Sequence, residues 1–190
     1  MIRAIFFDMD GTITRPLINW RELRQRVGVP EGVPIMAHIE SLAAEERQRS
    51  EEILETEETR AAAEAELNPG AVELLDRLRS RGLLTALITN NHRRAMDLVV
   101  SRFELCFDLL LSREDAPLKP APDLVLLALS RLQVQPGQTC FVGDGRYDQL
   151  ASQGAGVRYL HLQHPGHPVP EAEMVAHLIE VWDRLELSPG

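Results

Sequence analysis

The chain has 190 residues, 44% of them hydrophobic and 26% charged, with a formal net charge of −9. That length predicts one domain, or one domain with an insertion, and the composition is that of a globular protein with a sizeable core, which excludes general disorder. An acidic balance disfavours a non-specific nucleic-acid binder, and no apolar run reaches the roughly 18 to 20 residues of a membrane helix, so the expectation is a soluble, untargeted, cytoplasmic protein without nucleic-acid or membrane partners.

Ile2 to Phe7 is a short, mostly apolar run of the kind buried on both faces of a parallel sheet, and it ends on Asp8-Met9-Asp10-Gly11-Thr12. About 55 residues without a strand signal follow. Their apolar positions (Trp20, Leu23, Val27; Ile35, Ile39, Leu42; Ile53, Leu54) recur at helical spacing and predict inserted helices. From Glu45 to Glu66 there are nine Glu and three Arg. This segment reads as a solvated helix face supported by pairs with Arg47, Arg49 and Arg60, in preference to an acidic binding surface.

Alternation then sets in. Pro69 to Ser80 predicts a helix with Asn68 as N-cap and Val72, Leu75 and Leu78 on one face. Strands at Leu83 to Thr89, Phe107 to Leu111, Thr139 to Gly143 and Val157 to Leu162 are interleaved with helices at His92 to Phe103, Asp123 to Leu132, Tyr147 to Gln153 and, last, Glu171 to Leu185. Such alternation predicts an α/β fold with an open, doubly wound parallel sheet. His164-Pro165-Gly166-His167-Pro168 reads as a loop lacking the ligands of a metal site, and Cys106 and Cys140, with no CxxC spacing, as reduced core thiols.

Two carboxylates one residue apart, just beyond a buried strand, are the strongest chemical signal. Taken alone, Asp10-Gly11 is equally ordinary turn chemistry. Polar residues recur, however, at later strand ends: Thr89 closes the second strand, Lys119 follows the third, and Asp144 and Asp148 follow the fourth. Ligands of open α/β sheets bind beyond the carboxyl ends of the strands, so these residues are expected in one crevice. Carboxylates there suit Mg²⁺, while Lys119, Thr89 and helix-start amides suit phosphate oxygens.

With these residues the sequence resembles the haloacid dehalogenase superfamily, in its phosphatase branch. Four motifs carry the resemblance, in the family's order: Asp8-Met9-Asp10-Gly11-Thr12, Leu87-Ile88-Thr89-Asn90-Asn91, Leu118-Lys119-Pro120-Ala121-Pro122, and Val142-Gly143-Asp144-Gly145-Arg146-Tyr147-Asp148. The resemblance implies a Rossmann-like core over 1–14 and 69–190 and a small helical cap over 15–68, as in phosphoglycolate phosphatase-like and β-phosphoglucomutase-like members. It implies Asp8 as nucleophile and Mg²⁺ ligand, and Asp10 as general acid and base whose backbone carbonyl also contacts the metal. Thr89, with the amides of Met9 and Asn90, would bind the phosphoryl group. Lys119 would neutralise charge between phosphate and Asp8, Asp144 would ligate Mg²⁺, and Asp148 would ligate it or support the ligands.

The implied activity is Mg²⁺-dependent hydrolysis of a small phosphorylated metabolite through an aspartyl-phosphate. A sugar-phosphate mutase uses the same residues and is the nearest alternative; a receiver-like module and a catalytically silent phosphate-binding module are the readings from another class. An acid at Asp10 fits phosphatases and mutases better than carbon–halogen chemistry. Arg15, Arg21, Arg24 and Arg26 are weak candidates for meeting an anionic leaving group; Arg146 reads as a salt-bridge partner of Asp148, in preference to a contact with substrate. His92 reads as a surface residue at a helix start. Neither the substrate nor the oligomeric state is legible.

Overall fold

The structure, a computed structural model, describes residues 1–164 and 172–185. Among them, six strands form one sheet: β1 (Ala4–Phe7), β2 (Leu84–Ile88), β3 (Leu109–Leu111), β4 (Thr139–Gly143), β5 (Arg158–Leu162) and β6 (Glu173–Val175). Their order is β3-β2-β1-β4-β5-β6, and every neighbouring pair is parallel. Successive side chains of a strand point to opposite faces, so the apolar run of β1 feeds two cores. Ile5 and Phe7 join a cluster with Leu74, Leu78, Met96, Val99 and Val181. Ala4 and Phe6 join another with Leu124, Val125, Ala128 and Ala151.

Parallel strands need crossovers, and helices supply them. The helices α4 (Ala71–Ser80) and α5 (Arg93–Arg102) cover the first face together with α8 (Glu180–Arg184), while α6 (Asp123–Leu132) and α7 (Arg146–Gly154) cover the second. The expected doubly wound α/β sheet is therefore what the chain forms. Its path runs outward from β1 to β3, then returns to place β4 on the other side of β1. This reversal opens a crevice at the carboxyl ends of β1 and β4, where ligands of such sheets bind.

Between β1 and α4 lie three helices, α1 (Trp20–Val27), α2 (Ile35–Ser41) and α3 (Ala44–Glu64). Leu23, Val27, Ile39 and Leu54 form a small core of their own there. The insertion leaves and returns side by side: Thr14 bridges both Asp10 and Leu67, Arg15 N–H donates to the Glu66 carbonyl, and Asn68 N–H donates to that of Ile13.

Several expectations change. Residues 172–185 hold a short parallel strand and five helical residues where one long helix was predicted; Val175, Leu178 and Val181 are all buried, and a bent path lets them reach the same core from two elements. Trp182 then lies under the guanidinium groups of Arg77 of α4 and Arg81 just past its end. Val72 is exposed, and Leu74 takes its place on the buried face of α4. Cys140 is buried as predicted, but Cys106 is an exposed thiol. Of the His-Pro-Gly-His-Pro segment only His164 is described; its Nε2 meets the Gly11 carbonyl.

The Glu-rich helix α3 is not simply a solvated face. Arg60 pairs with Glu57 and Glu64, and Arg26 reaches Glu57, as surface pairs do. Ser50, Leu54, Glu58, Ala61 and Ala62 nonetheless form a buried stripe at helical spacing, and α3 packs along α5. Arg102 of α5 donates to the carbonyls of Ala62 and Ala65, fixing the far end of α3 to the sheet-bearing part of the chain.

Candidate active site

The Asp8 amide still follows the sheet, donating to the Val142 carbonyl of β4, after which the chain turns sharply. The amides of Thr12 and Thr14 both close back on the Met9 carbonyl, while the Met9 side chain is buried in the core. Gly11 makes the turn possible in two ways. Its φ of +85° is a left-handed conformation costly to other residues, and a Cβ there would sit 2.0 Å from Asp144 Oδ2.

Asn68, expected to cap α4, is used differently. Gly70, with a φ of 84°, takes the position before α4, and the Asn68 side chain donates to the carbonyls of Gly11 (3.1 Å), Thr12 (2.8 Å) and Thr14 (3.1 Å). One buried amide thus ties down three carbonyls of a loop that lacks regular partners.

Lys119 is the hub of the site. Its Nζ donates to Asp8 Oδ1 at 2.6 Å, Asp148 Oδ1 at 2.7 Å and the Ile88 carbonyl at 2.8 Å, and only 3% of the residue is exposed. Asn90 holds the backbone that carries it: Asn90 Nδ2 donates to the Lys119 carbonyl (2.8 Å), and Lys119 N–H donates to Asn90 Oδ1 (3.0 Å). Thr89, also buried, accepts the Asn91 amide on its hydroxyl. The Asn91 side chain crosses to Asp10 and donates to Oδ2 at 2.6 Å, while Thr14 donates to Oδ1 at 3.3 Å.

On the β4 side, Asp148 accepts the Gly145 amide on Oδ2, so both of its oxygens have protein donors. Tyr159 on β5 donates to the carbonyls of Gly143 (2.9 Å) and Gly145 (3.2 Å), bracketing Asp144. Asp8, Asp144 and Asp148 each offer an oxygen within 4.8 Å of the others. The structure therefore brings together Asp8, Lys119, Asp144 and Asp148 directly, and links Asp10 to Thr89 through Asn91.

Burial dominates the electrostatics. It drives the Asp8 carboxyl well above the ordinary carboxylate range despite Lys119, and Asp148 and Asp144 push the same way. Asp10 is raised by burial against the opposing hydrogen bonds of Asn91 and Thr14. Asp144 is pushed up to about 7 by burial and then by Asp148. Burial alone would lower Lys119, but the Asp148 and Asp8 carboxylates overcome it and hold the ammonium charged. One cation among three crowded carboxylates leaves negative charge in excess. An all-oxygen set with that excess suits a hard divalent cation, which prefers carboxylates and waters.

The seam between the inserted helices and the site holds a feature that sequence reasoning missed. Glu58 of α3 is 2% exposed; its Oε1 accepts from Arg113 at 2.9 Å and its Oε2 from the His92 amide at 3.2 Å. His92 is buried, not a surface residue. Its Nδ1 accepts from the Ala95 amide to cap α5, and burial lowers its pKa, so the neutral ring places its proton on Nε2, 3.2 Å from the Thr59 hydroxyl. In the sequence Glu58 is one of a run of glutamates, and nothing in the run marks the one that turns inward.

Burial also raises Glu58 to about 7, from an ordinary value of 4.5, against the pull of Arg113. A folded-state value above the unfolded one means that the native protein holds the proton longer, so this contribution to stability falls as pH rises from about 4.5 to 7. Glu58→Gln removes the titration. The loss of stability between pH ~5 and pH ~8 should shrink by ~2 kcal/mol in the variant, measured as urea midpoints; an unchanged pH slope would mean that Glu58 ionises normally.

Of the arginines that follow the first motif, Arg24 donates to the carbonyls of Pro30 and Val33, Arg26 to Glu57, and Arg15 pairs with Glu66, so three of the four have partners within the insertion; Arg21 is exposed. Arg146 is exposed and donates to Gln149, not Asp148, because Asp148 turns inward to Lys119. Among the described residues, no helix is long and apolar enough to cross a membrane.

Comparison with known proteins agrees with this geometry. Residues 2–156 match the haloacid dehalogenase-like hydrolase family. A haloacid dehalogenase-like hydrolase domain-containing protein of Arabidopsis thaliana is 34% identical over 161 residues, spanning 79% of this chain and 66% of its own length. Phosphoglycolate phosphatase 1 of Pseudomonas aeruginosa is 26% identical over 199 residues, spanning 89% of this chain and 73% of its own. The crystal structure of a hydrolase from Pseudomonas syringae superposes with a TM-score of 0.81 at 21% identity, covering 99% of this chain and 100% of that one, a likeness of fold.

Proposed function

The chain belongs to the haloacid dehalogenase-like hydrolase family, and on that premise we propose that it is a cytoplasmic, Mg²⁺-dependent phosphatase acting on a small phosphorylated metabolite. The observation that carries this reading is the placement of Lys119 against Asp8, with Asp10 two residues on and Asp144 and Asp148 facing them across the β1–β4 crevice. In this reading residues 15–68 are a cap over a core of 1–14 and 69–190.

Asp8 is the nucleophile. Its carboxylate oxygen attacks phosphorus as the bond from phosphorus to the leaving oxygen breaks, and Asp10 gives that oxygen its proton. A water oxygen then attacks the aspartyl-phosphate, giving its proton to Asp10. The bond from phosphorus to Asp8 breaks, and phosphate leaves. Thr89, with the amides of Met9 and Asn90, holds phosphoryl oxygens, and Lys119 balances charge shared by Asp8 and phosphate. Asp8, Asp144, the Asp10 carbonyl and Asp148, either as ligand or as support, would hold Mg²⁺; when bound, it would offset the repulsion between Asp8 and the incoming phosphate.

The relatives' names favour small phosphate esters as substrates, phosphoglycolate among them. The test is a screen of phosphorylated metabolites, including phosphoglycolate and hexose phosphates, read as released inorganic phosphate with and without Mg²⁺. Turnover of one or more esters, abolished by EDTA and restored by Mg²⁺, is expected. No release from any of them, or release indifferent to chelation, would overturn the reading. A requirement for a sugar bisphosphate would mark a mutase instead.

A further inference from the structure

We propose that Asn91 is the positioning residue for Asp10, and that Glu58, from the inserted helix α3, holds Asn91 in place, coupling the seating of the inserted helices to the readiness of the acid. The inference rests on the phosphatase reading and assigns residues which that reading leaves without a role.

Asn91 is 4% exposed and all of its polar groups named here are engaged. Its Nδ2 donates to Asp10 Oδ2 at 2.6 Å, its N–H donates to the Thr89 hydroxyl at 3.1 Å, and its carbonyl accepts the Arg113 amide at 3.2 Å. The 2.6 Å contact is the tighter of the two that hold the Asp10 carboxyl, the other being Thr14 at 3.3 Å on Oδ1. An amide N–H donor on Oδ2 favours an unprotonated oxygen there. In the protonated acid the transferable proton is thereby placed on Oδ1, with the Thr14 hydroxyl giving its own proton to the Met9 carbonyl (3.2 Å); once the proton has left, the charge on Asp10 has the Asn91 and Thr14 donors aimed at it.

What fixes Asn91 comes from both sides of the seam. The next residue, His92, gives its amide to Glu58 Oε2 (3.2 Å), and Arg113, whose amide holds the Asn91 carbonyl, gives its guanidinium to Glu58 Oε1 (2.9 Å). Glu58 therefore binds the two residues that flank Asn91 in space. A carboxylate in this place is costly to bury, and its two oxygens are spent on the segment that orients Asp10 and on its neighbour.

The test uses leaving groups of similar shape and different basicity. Phenolate is a poor leaving group that needs protonation, whereas p-nitrophenolate leaves without help, and kcat/KM reports events only through phosphoryl transfer to Asp8. Asn91→Leu should lower kcat/KM for phenyl phosphate about 30-fold and for p-nitrophenyl phosphate less than about 3-fold. Glu58→Ala should show the same selectivity at about 5-fold, Glu58→Gln should recover most of it, and Glu58→Ala should add little in the Asn91→Leu background.

Equal losses on both esters in Asn91→Leu would reduce Asn91 to a structural part and overturn the proposal. Full additivity of the two substitutions would remove Glu58 from it. Should Glu58→Ala not fold, Arg113→Gln opens the same seam from the other side and is read by the same ratio. If the unsubstituted protein releases phosphate from neither these esters nor any metabolite of the screen, the phosphatase reading is rejected and the positioning role falls with it; turnover without the leaving-group pattern rejects the positioning role alone.

Discussion

Asp8→Asn is expected to abolish phosphate-ester turnover, by on the order of 10⁴-fold or more, in a protein that melts no lower than its parent. The two halves of that result have separate causes. An amide oxygen is a poor nucleophile and cannot form the covalent intermediate, so the reaction loses its first step. The fold loses less, because Lys119 keeps Asp148 at 2.7 Å and the Ile88 carbonyl at 2.8 Å. Asp8 is moreover held against burial and against the repulsion of Asp148 and Asp144. Removing its charge relieves the crowding, a common exchange of stability for activity at functional sites. Measuring both quantities on one preparation makes the test sharp. Retained turnover would reject Asp8 as nucleophile, and a collapse in melting temperature would make the loss of activity uninformative about chemistry and contradict the predicted charge balance.

The parts of this molecule that were legible in its sequence are those where one physical signal decides the outcome. Parallel strands buried on both faces must be apolar, so β1, β2, β4 and β5 stand out, and the apolar run Thr139–Gly143 coincides with β4 to the residue. Residues at strand ends are brought together by topology alone, which is why Asp8, Lys119, Asp144 and Asp148 could be grouped from positions far apart in the chain. Residues whose work is to hold others carry no such signal. Asn68 before Pro69 has the grammar of a helix cap, yet its amide serves three carbonyls 54 to 57 residues earlier. Glu58 is one glutamate among nine in its segment, and helical phase places it inward only once the packing of α3 on α5 is known. Tyr159 reads as a strand aromatic, but its hydroxyl brackets Asp144. The chain end departs from its sequence pattern for a related reason: Val175, Leu178 and Val181 have helical spacing, and pairing with β5 overrides it.

The second large effect belongs to Lys119→Met, which keeps the stem and removes the charge. Lys119 is the ammonium that meets both Asp8 and Asp148, and both partners are buried. Breaking a buried ion pair by deleting one partner leaves uncompensated charge, and the typical cost is about 3–5 kcal/mol. The carboxylates have only two ways to respond: they can take up protons, or they can take up another cation. The variant should therefore be markedly less stable at pH ~8 than at pH ~5, since Asp8 and Asp144, both already raised by burial, take up protons at the lower pH and offset the lost positive charge. Mg²⁺ should recover part of the lost stability, and more of it in the variant than in the parent, because a divalent ion supplies the charge that Nζ no longer does. Turnover should stay low even when Mg²⁺ restores the fold, since a cation beside Asp8 and Asp144 does not occupy the place between Asp8 and Asp148 that Nζ fills. Urea midpoints with and without Mg²⁺ at both pH values, beside kcat for one ester, separate these effects. If the variant is as stable as its parent without metal, the three carboxylates do not share a charged site; if Mg²⁺ restores turnover as well as stability, Lys119 is a structural countercharge with no part in the chemistry.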